Sequence, residues 1–346
     1  MKALAKFKAQ VGFELAELPM PEVTSHRVLV KVKASSICGS DVHLFHWDDW
    51  AQKHCDIPRI IGHEGAGEVV EIGEQVEHLK VGDHVSFESH IPCLGCARCR
   101  TGEMHLCRNL KTIGFQADGC FAEYISIPQI CCVKNDKSIP WEIASIQEPL
   151  GNSVYAVTES KVAGKTVAVF GDGPTGLFAV AVARAMGAAK IFGVGIAPFR
   201  LDIMKKLGPD FVIDATKTDP VEVIMNATHG EGVDCVLEMS GAEKAIHDGF
   251  KAVRNGGIFT AFGIPSDPIR LDFASEIILK GIQVLAIHGR RMFDTWKDMA
   301  TLLESNRLDV SPVITHRFPM AKYEAAFGLL TKKPIEAAKI VLLPTG

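Results

Sequence analysis

No stretch of this 346-residue chain approaches the ~18 consecutive apolar residues that suggest a membrane-spanning helix. An excess of one charge is missing too: 37 Lys and Arg stand against 41 Asp and Glu, a formal net charge of -4. That balance gives no electrostatic reason to expect nucleic acid or an anionic membrane as partner, so small molecules are the expected ligands. No charged, then apolar, then small-residue pattern opens the sequence, and the expected location is the cytoplasm. Low-complexity segments and repeats of solenoid period are absent. With 47% hydrophobic residues the chain is neither disordered nor fibrous, and it is long enough for two domains. Ten cysteines without a secretory signal argue for thiols and metal ligands rather than a disulfide framework.

The texture changes along the chain. Up to about Gly151, glycine turns alternate with short β-branched runs such as Val28 to Val32 and Glu68 to Ile72, which reads as strand and turn. From about Lys165, strands alternate with helical stretches: Thr166 to Phe170, Leu177 to Met186, Ile191 to Val194 and Phe199 to Leu207. Alternation of that kind predicts a parallel sheet wrapped by helices. Val233 to Leu237 and Gly257 to Gly263 continue the sheet, and Phe293 to Glu304 reads as a helix leading out of it. The expected organisation is a β-rich domain of residues 1–152 and 296–346, with a doubly wound, dinucleotide-binding domain of residues 153–295 inserted in it.

Cys93, Cys96, Cys99 and Cys107 stand at the spacing C-x2-C-x2-C-x7-C. Four thiolates so close can complete a tetrahedral shell around zinc and leave no open position, which marks a structural site. An iron–sulfur cluster is the rival, but the spacing fits neither ferredoxin pattern. Upstream, Cys38, His63 and Glu64 offer one sulfur, one nitrogen and one oxygen ligand, the makings of a catalytic zinc site with an exchangeable position for a substrate oxygen. Singly, each has a plainer reading as a buried cysteine, a core histidine or a surface glutamate. A proton leaving such a site needs a route to water, and Ser40 and His43 beside Cys38 have the right types for a relay. Glu148 is the further acidic candidate, as an alternate ligand or an orienting group.

Thr166 to Phe170 runs into Gly171-Asp172-Gly173-Pro174-Thr175-Gly176 and then an apolar helical stretch. In that strand–turn–helix setting, G-x-G-x-x-G makes the tight turn that admits a pyrophosphate to a helix N-terminus. An acid is expected at the end of the next strand to bond the adenosine ribose and favour NAD. Gly195 stands there instead; NADP is therefore open as a cofactor, although no basic residue directly follows Gly195.

With these motifs in order, the chain resembles the zinc-containing medium-chain dehydrogenases. The resemblance runs from Lys33 to near the C-terminus and includes His46 to Trp50, Ser89 to Cys93, His105 to Asn109, Gly289 to Trp296 and Ile314 to Phe318, stretches similar to those of the threonine-oxidising members. It implies a GroES-like β-rich catalytic domain with a Rossmann domain, two zinc ions, and oxidation of L-threonine at its β-carbon to 2-amino-3-oxobutanoate with NAD⁺ in a homotetramer. Carried onto matching positions, it makes Cys38, His63 and Glu64 the catalytic zinc ligands, Ser40, His43 and Glu148 catalytic residues, and His90 and Trp47 substrate contacts. It places Thr175, Gly195 and Arg200 about the adenosine ribose, and Phe262, Gly263, Ile264, Ile287 and His288 on the nicotinamide side. Ser40 stands where threonine is usual, and Thr175 where an aliphatic residue is usual. The tryptophans of residues 46–50 also fit a packing role.

Two other functions remain open. A polyol or sugar-alcohol dehydrogenase of the same family would share Glu148-Pro149-Leu150. A non-catalytic dinucleotide-binding protein would have no reason to keep an intact open zinc set.

Overall fold

The computed structural model describes residues 1–344, which form two compact units. The first comprises Met1–Pro149, Ile314–Lys332 and residues 339–344. Its main sheet has seven strands, in the order Cys132–Lys134, His84–Phe87, Glu64–Ile72, Arg27–Ser36, Lys339–Leu343 and Ile314–Pro319, with Tyr124–Pro128 also paired to Arg27–Ser36. Within Arg27–Ser36, buried Val30, Val32 and Ala34 alternate with half-buried Lys31 and Lys33, the signature of a strand with one face on a core. A three-stranded sheet of Glu14–Glu17, Lys2–Lys6 and Arg59–Ile60 accompanies it.

Strand register in this unit brings distant residues together. Arg27–Ser36 and Glu64–Ile72 are antiparallel, with Ser36 opposite Glu64. The residues just past one strand end, Ile37 and Cys38, therefore meet those just before the other, Gly62 and His63. The stretch that leads into Glu64–Ile72 depends on Gly62, at φ +89°, where a Cβ would also lie 2.3 Å from the Phe121 ring. That conformation is closed to ordinary side chains.

The second unit, Leu150–Val313 with Lys333–Ala338, holds a wholly parallel six-stranded sheet. Its order is Phe211–Asp214, Lys190–Gly195, Thr166–Phe170, Val233–Glu238, Val253–Ala261 and Gln283–Ala286. In chain order this is 3-2-1-4-5-6, the doubly wound Rossmann arrangement. Its central strand TVAVF buries four of its five residues, as a strand covered by helices on both faces must. Phe170, Phe192, Phe250 and Phe259 fill the core.

The division of the chain differs from the expected one at its second boundary. Compactness puts the return at Ile314 rather than near residue 296, because the helix Asp294–Glu304 belongs to the second unit and buries Trp296 and Met299. Two strands escaped the pattern reading, Phe211–Asp214 and Gln283–Ala286. Each is four residues long at a sheet edge, and they bury one residue and none, respectively.

Candidate active site and metal centres

Cys38 precedes the helix Gly39–His46. Ligand atoms of Cys38, His63 and Glu64 lie within 4.8 Å of one another, with His63 and Glu64 buried. Asp41, in the helix's first turn, touches two of these residues. Its Oδ2 accepts the backbone N–H of Cys38 at 2.8 Å, and its Oδ1 lies 3.3 Å from Nδ1 of His63. The two atoms face each other as an ion pair without closing a hydrogen bond; a carboxylate on that side is the outer partner that orients a metal-ligating imidazole and leaves Nε2 for the metal.

Glu64 divides its two oxygens. Oε2 accepts from the Ser36 hydroxyl and pairs with the buried Lys339 ammonium, which also donates to the carbonyl of Ile37 at 3.0 Å. Oε1 is fully buried and takes no hydrogen bond from the described residues. Burial alone would depress the Lys339 ammonium, yet Glu64, Cys38 and Glu148 outweigh it and raise its pKa. An orphaned buried carboxylate oxygen demands a partner, and beside a thiol and an imidazole that partner fits a cation. The donor set of sulfur, nitrogen and oxygen suits zinc.

Ser40 and His43 are three residues apart on the helix Gly39–His46, so they share one face of it. Nδ1 of His43 meets Oδ2 of Asp48 at 2.5 Å, while its side chain is half exposed. Oδ1 of Asp48 accepts the N–H groups of Trp50 and Ala51 at 3.1 and 3.0 Å, capping the helix Asp49–His54. Partial burial would raise the Asp48 carboxyl, but the His43 hydrogen bond and the two amides prevail and lower it. The Trp50 ring lies between those of His43, at 5.3 Å, and Phe115, at 5.9 Å, and Phe115 is 5.4 Å from His63. Trp47 ends its helix at φ 55°, with Lys6 Nζ 5.0 Å above its ring. Both tryptophans thus have packing partners.

Glu148 is buried and lies outside the ligand triad; its Oε1 accepts the Ser89 hydroxyl at 2.5 Å. His90 opens the short strand His90–Ile91, its backbone N–H on Oε1 of buried Glu88 at 2.8 Å.

The second cluster closes on itself. The sulfurs of Cys93, Cys96, Cys99 and Cys107 lie within 4.8 Å of one another, with Cys96 3.6 Å from Cys99 and 3.8 Å from Cys107. A tetrahedron of zinc–sulfur bonds of ~2.3 Å has edges of ~3.8 Å. Backbone amides of Cys99 and Arg108 hold the Cys96 thiol down to about 6, while burial pushes Cys99 up to about 12. Four sulfurs so packed carry charge together only around a cation.

In the second unit the fingerprint follows Thr166–Phe170 and opens the helix Pro174–Ala185. Gly171 is at φ +126°, and a Cβ on Gly176 would stand 2.1 Å from its carbonyl oxygen, whereas one on Gly173 would meet nothing within 4 Å. Two glycines therefore make the turn and its close packing, and the third leaves open space at the helix N-terminus, as an anion cradle requires. Gly195 ends its strand. Phe262 to Ile264 follow Val253–Ala261, and Ile287 and His288 follow Gln283–Ala286; all these positions lie at carboxyl ends of parallel strands. Arg200 donates through Nε to the carbonyl of Ala337 at 2.8 Å.

Several contributors were not singled out from sequence: Asp41, Asp48, Lys339 and Ser36 around the first cluster, and Glu238 in the second unit. The Glu238 backbone carbonyl accepts from the amides of Phe262 and Gly263 at 3.0 and 3.1 Å. Asp41 carried a usable signal, since its offset of three from Cys38 sets it over the same helical turn. Lys339 carried none, being 275 residues from Glu64 in sequence (339 minus 64).

The alcohol dehydrogenase GroES-like domain matches residues 24–137, and the zinc-binding dehydrogenase domain matches residues 174–305. An L-threonine 3-dehydrogenase of Bacillus licheniformis is 44% identical over 344 residues, 99% of both chains. The L-threonine 3-dehydrogenase of Pyrococcus horikoshii is 44% identical over 331 residues, 95% of both. Among solved structures, 2R,3R-butanediol dehydrogenase from Bacillus subtilis superposes with a TM-score of 0.90 at 29% identity, covering 99% of both chains.

Proposed function

We propose that this chain, which belongs to the zinc-binding medium-chain alcohol dehydrogenases, oxidises L-threonine to 2-amino-3-oxobutanoate. It is a zinc- and nicotinamide-dependent oxidoreductase acting on a small molecule. The observation that carries the choice of threonine is identity of 44% over nearly the whole length of relatives bearing that activity in their names, together with an intact Cys38–His63–Glu64 triad.

When bound, zinc supplies Lewis acidity that makes a substrate hydroxyl easier to deprotonate, and NAD⁺ supplies the hydride acceptor. The protein's part follows from its own groups. Asp41 holds His63 and the Cys38 backbone in place. Lys339 and Ser36 restrain one oxygen of Glu64, leaving the other for the metal. Ser40 accepts the departing proton and hands it to His43, whose half-exposed ring releases it to water while Asp48 fixes its orientation. Gly171, Gly173, Thr175 and Gly176 seat the pyrophosphate, Gly195 and Arg200 adjoin the ribose, and Phe262, Gly263, Ile264, Ile287 and His288 adjoin the nicotinamide. Trp47 and His90 are assigned to the substrate side. The four-cysteine cluster holds a structural zinc.

The homotetramer is what the family resemblance implies, and the sheet edge offers one surface for a contact between copies. Gln283–Ala286 pairs on one side only, and Phe273, Leu279 and Val284 near it are 61, 79 and 44% exposed, a patch suited to another copy. No helix among the described residues is long and apolar enough to cross a membrane. A cytoplasmic setting is included in this reading.

Comparing initial rates on L-threonine and sorbitol tests the substrate. Threonine is expected to turn over and sorbitol to be a poor substrate; the opposite order makes the protein a polyol dehydrogenase.

A further inference from the structure

The end of the second parallel strand is where a dinucleotide-binding domain offers its ribose-binding acid, and here Gly195 has no side chain to offer. Its backbone does not explain the glycine, since Gly195 is not among the residues of positive φ. What excludes a side chain is Asp172: a Cβ at residue 195 would lie 2.6 Å from both Cβ and Oδ2 of that residue. Asp172 is the second residue of the glycine fingerprint, on the neighbouring strand's exit. Its carboxylate fills the space from which an acid at position 195 would start.

The placement is fixed. Oδ2 of Asp172 accepts the backbone N–H groups of Ile196 and Ala197, each at 2.7 Å, tying the carboxylate to the loop after the second strand. Oδ1 takes no hydrogen bond from the described residues. The nearby cation does not favour an added phosphate: Arg200 is engaged at Nε by the carbonyl of Ala337 and already feels the Asp172 charge.

We propose that Asp172 replaces the missing strand-end acid, presenting Oδ1 to the adenosine ribose and rejecting a 2′-phosphate, so that the protein selects NAD over NADP. The acid has moved from one strand exit to the next, and Gly195 is the vacancy that accommodates it. The proposal rests on the dehydrogenase reading above.

The test is calorimetric binding of NAD⁺ and NADP⁺ to the zinc-loaded protein, with threonine-dependent reduction of each measured in parallel. Wild-type protein is expected to bind NAD⁺ at least about tenfold more tightly, the scale of one hydrogen bond to a charged group. Asp172→Asn is expected to shrink that ratio by about tenfold. The double variant Asp172→Ala/Gly195→Asp, which returns the acid to the strand end, is expected to restore it. Equal binding of both nucleotides by wild type, or an unchanged ratio in Asp172→Asn, overturns the proposal. Should Asp172→Asn fail to fold, the wild-type ratio and the double variant decide. Threonine turnover without nucleotide discrimination defeats the role of Asp172 alone; discrimination without threonine turnover defeats the substrate reading alone.

Discussion

Oδ1 of the buried Asp41 stands 3.3 Å from Nδ1 of His63, while Oδ2 of the same carboxylate holds the backbone N–H of Cys38 at 2.8 Å. One side chain thereby touches two residues of the metal triad, by a hydrogen bond to Cys38 and an ion pair to His63. Asp41→Asn keeps the shape and removes the charge behind His63. Loss of such an outer partner weakens metal affinity by ~10–100-fold. Chelator competition on the purified variant measures this directly; unchanged affinity means His63 is positioned by packing alone.

Lys339 and Glu64 form a pair 2% and 0% exposed. Removing the cation leaves Glu64 buried and uncompensated, at a cost of ~3–5 kcal/mol. Equilibrium unfolding of Lys339→Met in the chelated protein is expected to show that loss, and Lys339→Met/Glu64→Gln to recover much of it. A single variant as stable as wild type contradicts the pairing.

Cys96→Ser opens the closed sulfur cluster. Zinc content is expected to fall by one ion per chain, with a lower melting temperature, because a structural metal contributes folding energy. Turnover per remaining folded site is expected to persist. Lost turnover at unchanged melting temperature would assign chemistry to this cluster instead.

Asp48 serves two partners, which substitution can separate. Asp48→Asn retains helix capping and loses the charge facing His43, so turnover is expected to fall, with a modest loss of stability at neutral pH that vanishes in acid. Asp48→Ala also removes the cap and costs a further ~1 kcal/mol. Since the native carboxyl is held below its ordinary value, its stabilising contribution is complete above ~pH 4 and lost as pH falls through the native pKa. Acid unfolding of Asp48→Asn, lacking that group, is expected to be less steep; an identical profile contradicts the coupling.

Sequence pattern revealed what is local. The four cysteines lie within 15 residues (93 to 107), and the fingerprint is strand, turn and helix in one stretch, so spacing alone specifies their geometry. The triad was legible as ligand chemistry, although its assembly depends on the pairing of Ser36 with Glu64, which register sets and composition does not. Lys339 was invisible because a strand returning from the end of the chain supplies it. The expected boundary near residue 296 erred for a related reason: an amphipathic helix shows which face is apolar but not which core receives Trp296. Gly195 was legible as a missing acid, while the compensating position of Asp172 emerged only from the proximity of two strand exits.

Initial-rate reduction of NAD⁺ with L-threonine, followed at 340 nm on zinc-loaded protein and on Cys38→Ser, tests the central claim most directly. The account predicts robust turnover that chelation abolishes and added zinc restores, and a folded, nucleotide-binding Cys38→Ser protein without activity. Threonine oxidation that survives in Cys38→Ser would contradict it.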